Sequence, residues 1–126
     1  MIIGIGTDIV EVERIKSAAE KSKEKFLNRI FTSKEIMYSF KKNYPYIHLA
    51  ARFAAKEAVY KAFGDSLLNG SSWKDIEIQN KKNGKPVVML RGNARKLKSK
   101  KNVKEVIISL SHTRNYATAT AILIGT

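Results

Sequence analysis

The segment from His48 to Phe63 constrains the fold of this chain more than any other, because it predicts a long helix that is rich in alanine. Alanine recurs throughout it, and alanine has the highest intrinsic helix propensity. Gly64 follows directly, and glycine commonly ends helices because it adopts a positive φ without strain. The small side chains leave room for a ligand or another helix to approach this segment closely.

The N-terminal third predicts a strand followed by helices. Ile2–Asp8 combines isoleucines with two glycines, which predicts a buried strand whose backbone is approached closely, with Asp8 at its exit. From Glu11 onward the apolar period becomes helical. Its apolar stripe is Ile15, Ala19, Phe26 and Ile30, and the adjacent basic stripe is Arg14, Ala18, Lys21 and Lys25. Thr32 and Glu35 match a capping box, which predicts a short helix through Phe40.

The second half of the chain predicts two hairpins, separated by a basic helix over Asn93–Ser99. The predicted strands are Ile76–Ile78 with Val87–Leu90, and Val106–Leu110 with Ala117–Ile124. An Asn83-Gly84 turn joins the first pair, and a loop over Asp65–Ser72 precedes it. Because helices cluster first and strands cluster last, we predict an α+β fold, a mostly antiparallel sheet packed with helices. The length fits a single domain over residues 1–126.

Charge and composition limit the partners and the compartment. Twenty-four lysines and arginines against eleven aspartates and glutamates give a net charge of +13, so the partner should be acidic. Charge alone does not choose among nucleic acid, anionic lipid, a phosphorylated small molecule and an acidic protein. The chain has no cysteine, which favours a reducing cytoplasm, and no stretch of roughly 18 apolar residues that a membrane helix needs.

Three polar residues are candidates for chemistry on the predicted strand and helix. Asp8 could be held rigidly at the edge of a site, or could cap the helix that follows it. Glu57 and Lys61 lie four residues apart on one helical face, where they could form an ordinary surface ion pair. A dinucleotide site at Gly4-Ile5-Gly6 is rejected, because the third glycine of that fingerprint would fall on Ile9.

Two polar segments supply further candidates. Ser111-His112-Thr113 ends a strand, where the histidine could face a phosphate or pack beside the turn. A serine-histidine-acid triad cannot be argued from it, because triad members meet in space rather than in sequence. Asn83-Gly84-Lys85-Pro86 is explained as a hairpin turn, with the lysine exposed and the proline beginning an edge strand.

Taken together and in order, four segments resemble the holo-acyl-carrier-protein synthase family of phosphopantetheinyl transferases. They are Gly4-Ile5-Gly6-Thr7-Asp8-Ile9 through Arg14-Ile15; Arg52-Phe53-Ala54-Ala55-Lys56-Glu57-Ala58 with Lys61-Ala62; Gly84-Lys85-Pro86; and Ser111-His112-Thr113. They span nearly the whole chain. The most specific part is Asp8 together with the segment from Lys56-Glu57-Ala58 to Lys61.

The resemblance implies transfer of the 4′-phosphopantetheine arm from coenzyme A to a serine of an apo acyl carrier protein in fatty acid biosynthesis. It implies that Asp8 and Glu57 bind Mg²⁺, an ion that prefers oxygen ligands. Glu57 and Lys61 would be catalytic, and either Glu57 or a metal-bound water would be the general base. The residues implied to bind coenzyme A are Arg52, Lys61, Gly84, Lys85, Pro86, His112 and Thr113.

The resemblance also implies partners. Acyl carrier proteins are small and acidic, so the basic stripe of Arg14, Lys21 and Lys25 would speed their encounter. The family typically forms trimers with active sites at subunit interfaces, so we expect a homotrimer.

Two other classes of protein compete with this interpretation. A small basic nucleic-acid-binding protein fits the charge, but no aromatic RNA-binding signature, zinc-finger spacing or helix-turn-helix pattern occurs in the sequence. A noncatalytic interaction protein on the same fold would be expected to lose the metal-binding acids, and both acids are present. We therefore expect an enzyme that does not act on nucleic acid.

Overall fold

A computed structural model describes residues 1–22, 24–64 and 72–126, and it confirms the predicted α+β fold. The elements are β1 Ile2–Glu11, α1 Val12–Ser22, α2 Glu24–Ile30, α3 Ser33–Phe40, α4 Pro45–Phe63, a 3-10 turn Trp73–Asp75, β2 Ile76–Asn80, β3 Pro86–Leu90, α5 Gly92–Lys100, β4 Val103–His112 and β5 Tyr116–Gly125. β5 is the middle strand of an antiparallel sheet with β1 and β4 at its edges, and β2 pairs with β3. Both predicted hairpins are confirmed.

Helix α4 begins three residues before the predicted start, at Pro45. Proline suits the first turn of a helix, where its missing N–H needs no partner and its fixed φ is already helical. Five of the six alanines of α4 are buried in the hydrophobic core, and Ala62 is partly buried against it. Gly64 ends the helix with a φ of +81°. Of the predicted loop over Asp65–Ser72, residues 65–71 lie outside the described ranges.

The two glycines of β1 let α4 lie directly on the strand. A Cβ atom at Gly6 would stand 2.0 Å from the carbonyl oxygen of Ala58, and one at Gly4 would stand 2.3 Å from that of Ala62. The predicted close approach to this backbone is therefore confirmed, and the approaching element is helix α4. Any larger residue at Gly6 would push the helix off the strand.

The prediction that β1 is a buried strand ending at Asp8 is wrong on both points. The strand continues to Glu11, and its burial alternates, with Ile5 65% and Ile9 63% exposed. One face of β1 packs on α4, whereas the other face is uncovered in a single copy of the chain. Ile107 on β4 lies in one row with Ile5, because both pair with the same residue of β5. We call Ile5, Ile9 and Ile107 the outer sheet face.

The helical period after Glu11 is confirmed, in two helices rather than one. Ile15, Ala19 and Ile30 of the predicted apolar stripe are buried, while Phe26 is half-buried against the core. Residue 23, between the helices, lies outside the described ranges.

A buried ion pair ties the helices to the second sheet. Lys56 and Glu35 are completely buried, with 2.8 Å between Nζ and Oε1. Lys56 also donates hydrogen bonds to the carbonyl oxygens of Ile30 and Trp73, and Glu35 accepts one from the amide of Ile78. Glu35 additionally completes the predicted capping box with Thr32. Lys56 is therefore satisfied inside the protein, although it belongs to a motif that suggested chemistry.

Within the described ranges, no helix is long and apolar enough to cross a lipid bilayer.

Candidate active site

Asp8, Glu57 and Lys61 meet in one cleft of about 360 Å³ between β1, α1 and α4. Lys61 Nζ donates to Asp8 Oδ1 at 3.0 Å and to the carbonyl oxygen of Thr7 at 3.1 Å. Lys61 thus pairs with the acid on the strand rather than with Glu57 on its own helix. Asp8 lies inside β1 and does not cap the following helix. The structure therefore brings together all three candidate residues of the predicted strand and helix.

The two carboxylates of this cleft act on each other. The pKa of Glu57 is raised, first because burial disfavours its charged form and second because Asp8 repels that charge, while Lys61 works in the opposite direction. A divalent cation that prefers oxygen ligands would relieve the repulsion between these two half-buried carboxylates. Among the described residues, no group of three or more histidines, cysteines, aspartates or glutamates could hold a metal. A bound cation would therefore need water or substrate oxygens as well, which is typical of Mg²⁺.

The predicted basic stripe borders this cleft. Arg14 lines it from α1, and Phe26 and Phe53 contribute an apolar wall. Lys21 at the end of α1 and Lys25 on α2 are exposed. An acidic partner that approached the cleft would meet positive charge on this side.

A second cleft, of about 430 Å³, gathers most of the residues predicted to bind coenzyme A. Its wall includes Arg52, Gly84, Lys85, Pro86 and His112. Two helices, the β2–β3 hairpin and strand β4 supply this wall. Volumes of this size are ordinary for small-molecule sites.

Thr113, the remaining predicted coenzyme A contact outside the first cleft, lies in the turn between β4 and β5. There its hydroxyl oxygen accepts a hydrogen bond from the Tyr116 amide at 3.2 Å. Its role in binding stays a prediction.

Arg52 is the most buried basic side chain in the wall of the second cleft. It is 2% exposed, its guanidinium stacks over the Tyr38 ring at 4.1 Å, and Nη2 donates to Asn80 Oδ1. Its Nε is buried without a hydrogen-bond partner among the described groups. An unpaired buried donor of this kind is uncommon in folded proteins.

The two clefts face different directions. They share no lining residue within the described ranges. Arg52 and Glu57 are five residues apart on α4, which places them about 140° apart around the helix axis. One copy of the chain therefore presents the acidic cleft and the cationic cleft on different sides of α4.

Sequence reasoning missed His48, Tyr38 and Asn80, which all line the second cleft. His48 had an available signal, because it precedes Arg52 by four residues and shares its helical face. Tyr38 and Asn80 reach the cleft only through the packing of α3 and the hairpin against α4, which no local pattern encodes.

Comparison with known proteins gives consistent results. The family model of the 4′-phosphopantetheinyl transferase superfamily matches residues 4–121. A holo-[acyl-carrier-protein] synthase of Caldanaerobacter subterraneus subsp. tengcongensis is 49% identical over 125 residues, covering 99% of this chain and 97% of that protein.

Solved structures resemble the chain over its whole length. The holo-ACP-synthase of Plasmodium yoelii has a TM-score of 0.85 and 35% identity, covering 100% of this chain and 97% of that one. A holo-(acyl-carrier-protein) synthase of Bacillus anthracis, in complex with CoA (3′,5′-ADP), has a TM-score of 0.77 and 32% identity, covering 100% and 99%.

Proposed function

This chain belongs to the 4′-phosphopantetheinyl transferase superfamily, and we propose that it transfers 4′-phosphopantetheine from coenzyme A to a serine of an apo acyl carrier protein, in fatty acid biosynthesis. The observation that carries the proposal is the convergence of Asp8, Glu57 and Lys61 in one cleft. Relatives of nearly equal length that are named for this activity support it.

The transfer forms one bond and breaks one bond. The serine oxygen bonds to the phosphorus that carries pantetheine, and adenosine 3′,5′-bisphosphate leaves with the electron pair of the broken phosphorus–oxygen bond. Glu57 accepts the serine proton. Lys61 is half-exposed and has a third N–H beyond those given to Asp8 and Thr7, so it can donate to a phosphate oxygen.

The proposed metal ion is Mg²⁺, held by Asp8 and Glu57. The donor set fits this ion, because it consists of two carboxylates on different elements that face one cleft. When bound, Mg²⁺ supplies charge neutralisation at the phosphates.

The second cleft is the proposed site for the nucleotide end of coenzyme A. Arg52, Lys85 and His112 would contact its phosphates, while Gly84 and Pro86 shape the turn and Thr113 lies beside it. A complex of a relative with CoA (3′,5′-ADP) supports a nucleotide site in this fold.

Removal of either acid tests the function. Asp8→Ala and Glu57→Ala should each reduce phosphopantetheine transfer to near the detection limit, with an unchanged circular dichroism spectrum. Arg95→Ala, an exposed change on α5, is the matched control. Full activity in the double variant of the two acids would refute the metal and base assignments.

We propose a homotrimer in which the acidic cleft of one subunit faces the cationic cleft of the next. Two features support this assembly: the clefts face different directions in one chain, and the outer sheet face exposes Ile5, Ile9 and Ile107. Exposed apolar patches on a sheet commonly mark interfaces.

Mixed subunits test this arrangement. Asp8→Ala and Arg52→Ala subunits should each be inactive alone. Trimers co-expressed from both should recover about a quarter of the sites, because half the subunits supply an intact acidic cleft and half of their neighbours supply an intact cationic cleft. A site formed within one chain would recover nothing. Light scattering on the wild type measures the number of subunits, and a monomer would contradict the proposal.

Partner, compartment and domain organisation complete the proposal. Arg14, Lys21 and Lys25 are the proposed docking surface for the acidic carrier protein, with Arg14 at the cleft itself.

The enzyme works in the cytoplasm, consistent with a chain that has no cysteine. Residues 1–126 act as one domain, in line with a family match over residues 4–121.

A further inference from the structure

Two histidines contact each other in the wall of the second cleft. His48 on α4 and His112 on β4 meet edge to face, with ring centroids 5.7 Å apart. His48 also meets the Tyr38 ring of α3, at 6.1 Å. His48 is half-buried, so its ring is held between two elements while it still lines the cleft.

Burial and three basic side chains near His48 lower its pKa. The pKa of His48 is lowered first by burial, then by Arg52 on the same helix, by His112 on β4 and by Lys42 after α3. Tyr38, the neighbour on α3, has Lys42 4.8 Å above its ring. Each of these causes disfavours the protonated form of His48 in the protein alone.

This cleft has the chemistry of a dianion site. Arg52 and Lys85 line it together with the two histidines, and its described lining residues include no aspartate or glutamate. Arg52 adds a buried N–H that lacks a partner within the described ranges. A phosphate monoester carries nearly two negative charges at pH 7 and three acceptor oxygens, so it complements this wall.

We propose that His48 takes up a proton when the 3′-phosphate of coenzyme A binds in this cleft, which makes coenzyme A affinity depend on pH through this residue. The inference rests on the proposed function, and it deepens it by assigning a phosphate-sensing role to a residue outside the four motif segments. The 3′-phosphate is the monoester of coenzyme A, whereas the bridging diphosphate has no second ionisation near neutral pH.

The sign of the dependence follows from linkage. A negative charge within about 4–6 Å favours the charged form of a histidine and so raises its pKa. The bound complex therefore holds more protons than the free protein between the two pKa values of His48, so affinity falls as pH rises through that window. One complete proton corresponds to about a tenfold loss of affinity per pH unit. The phosphate is itself mostly dianionic above its second pKa of about 6, so its titration does not produce this fall.

Calorimetry without carrier protein measures the proton directly. We expect coenzyme A binding at pH 7.0, compared in two buffers with different ionisation enthalpies, to take up about 0.3–1 proton per site. Dephospho-coenzyme A, which lacks the 3′-phosphate, should take up close to none. Affinity for coenzyme A should fall about 3- to 10-fold between pH 6.5 and 8.0.

His48→Phe is the informative variant, because phenylalanine keeps the ring contacts with Tyr38 and His112 but cannot bind a proton. Its proton uptake should disappear, and its coenzyme A affinity should become nearly independent of pH. An unchanged melting temperature shows that the variant folds normally; if it does not fold, the dephospho-coenzyme A comparison on the wild type decides the question alone.

Several results would overturn the inference: no uptake by the wild type, equal uptake with dephospho-coenzyme A, uptake that persists in His48→Phe, or no coenzyme A binding. A parallel transfer assay separates this failure from that of the proposed function. Transfer to a carrier protein without proton uptake removes only the role of His48. Absence of transfer by the wild type refutes the proposed function itself.

Discussion

Asp8, Glu57 and Lys61 form one electrostatic unit, in which each charge sets the properties of the others. Asp8 repels the charged form of Glu57, and Lys61 pairs with Asp8 while it attracts Glu57. Because burial is the largest cause of the raised Glu57 pKa, the shift should persist in part when Asp8 is removed.

The pKa of Glu57 should therefore respond in opposite directions to two substitutions. Asp8→Asn removes a repulsion and should lower this pKa, whereas Lys61→Met removes an attraction and should raise it further. Carbon NMR of the Glu57 carboxyl in metal-free protein measures both values. A pKa that moves the same way in both variants would contradict the coupling.

At the residue scale, sequence reasoning found the residues whose types and order form motifs. It could not assign the contacts of Arg52, because Tyr38 and Asn80 reach that guanidinium from distant parts of the chain. It also could not show that Lys56 forms a buried ion pair with Glu35, because no local sequence pattern distinguishes a buried lysine from an exposed one.

At the scale of elements, the contact between β1 and α4 positions the acidic cleft. Gly6 lies two residues before Asp8 and beneath Ala58, which is adjacent to Glu57. Periodicity and capping predicted these two elements, but not their pairing. The exposed face of β1 was missed because burial of an edge strand depends on its neighbours rather than on its own sequence.

Gly6→Ala should disturb this contact. The added methyl would clash with the α4 backbone, so the free energy of unfolding should fall by about 1–3 kcal/mol, the usual range for overpacking. Transfer activity should also fall, because α4 would move away from Asp8. Chemical denaturation and a transfer assay measure the two effects.

Gly64→Ala is the control for this prediction. Among the described residues, nothing lies within 4 Å of an added Cβ there, and only the positive φ of +81° is strained. This variant should lose about 1–3 kcal/mol of stability but keep its activity. Normal activity in Gly6→Ala would show that the contact does not position the cleft.

At the scale of the whole molecule, the net charge of +13 comes from lysines and arginines that are spread along the whole sequence. Position should therefore matter more than total charge. Lys21 and Lys25 lie on the helices beside the acidic cleft, whereas Lys96 and Lys100 lie on α5 and line neither cleft. The sequence predicted an acidic partner, but the structure was needed to separate these surfaces.

Charge reversal tests the proposed docking surface. Lys21→Glu with Lys25→Glu should raise the KM for carrier protein about 3- to 10-fold at low salt, with less effect at high salt because surface charges are screened. Lys96→Glu with Lys100→Glu makes the same change in net charge and should have little effect. Equal effects of the two pairs would show that only net charge matters.

The most direct test of the account is the mass of an apo acyl carrier protein after incubation with this protein, coenzyme A and Mg²⁺. We predict a gain of one phosphopantetheine group per carrier, which a chelator and Glu57→Ala both prevent. An unchanged carrier mass with the wild-type protein, across several apo carriers, would contradict the central claim that this chain is a phosphopantetheinyl transferase.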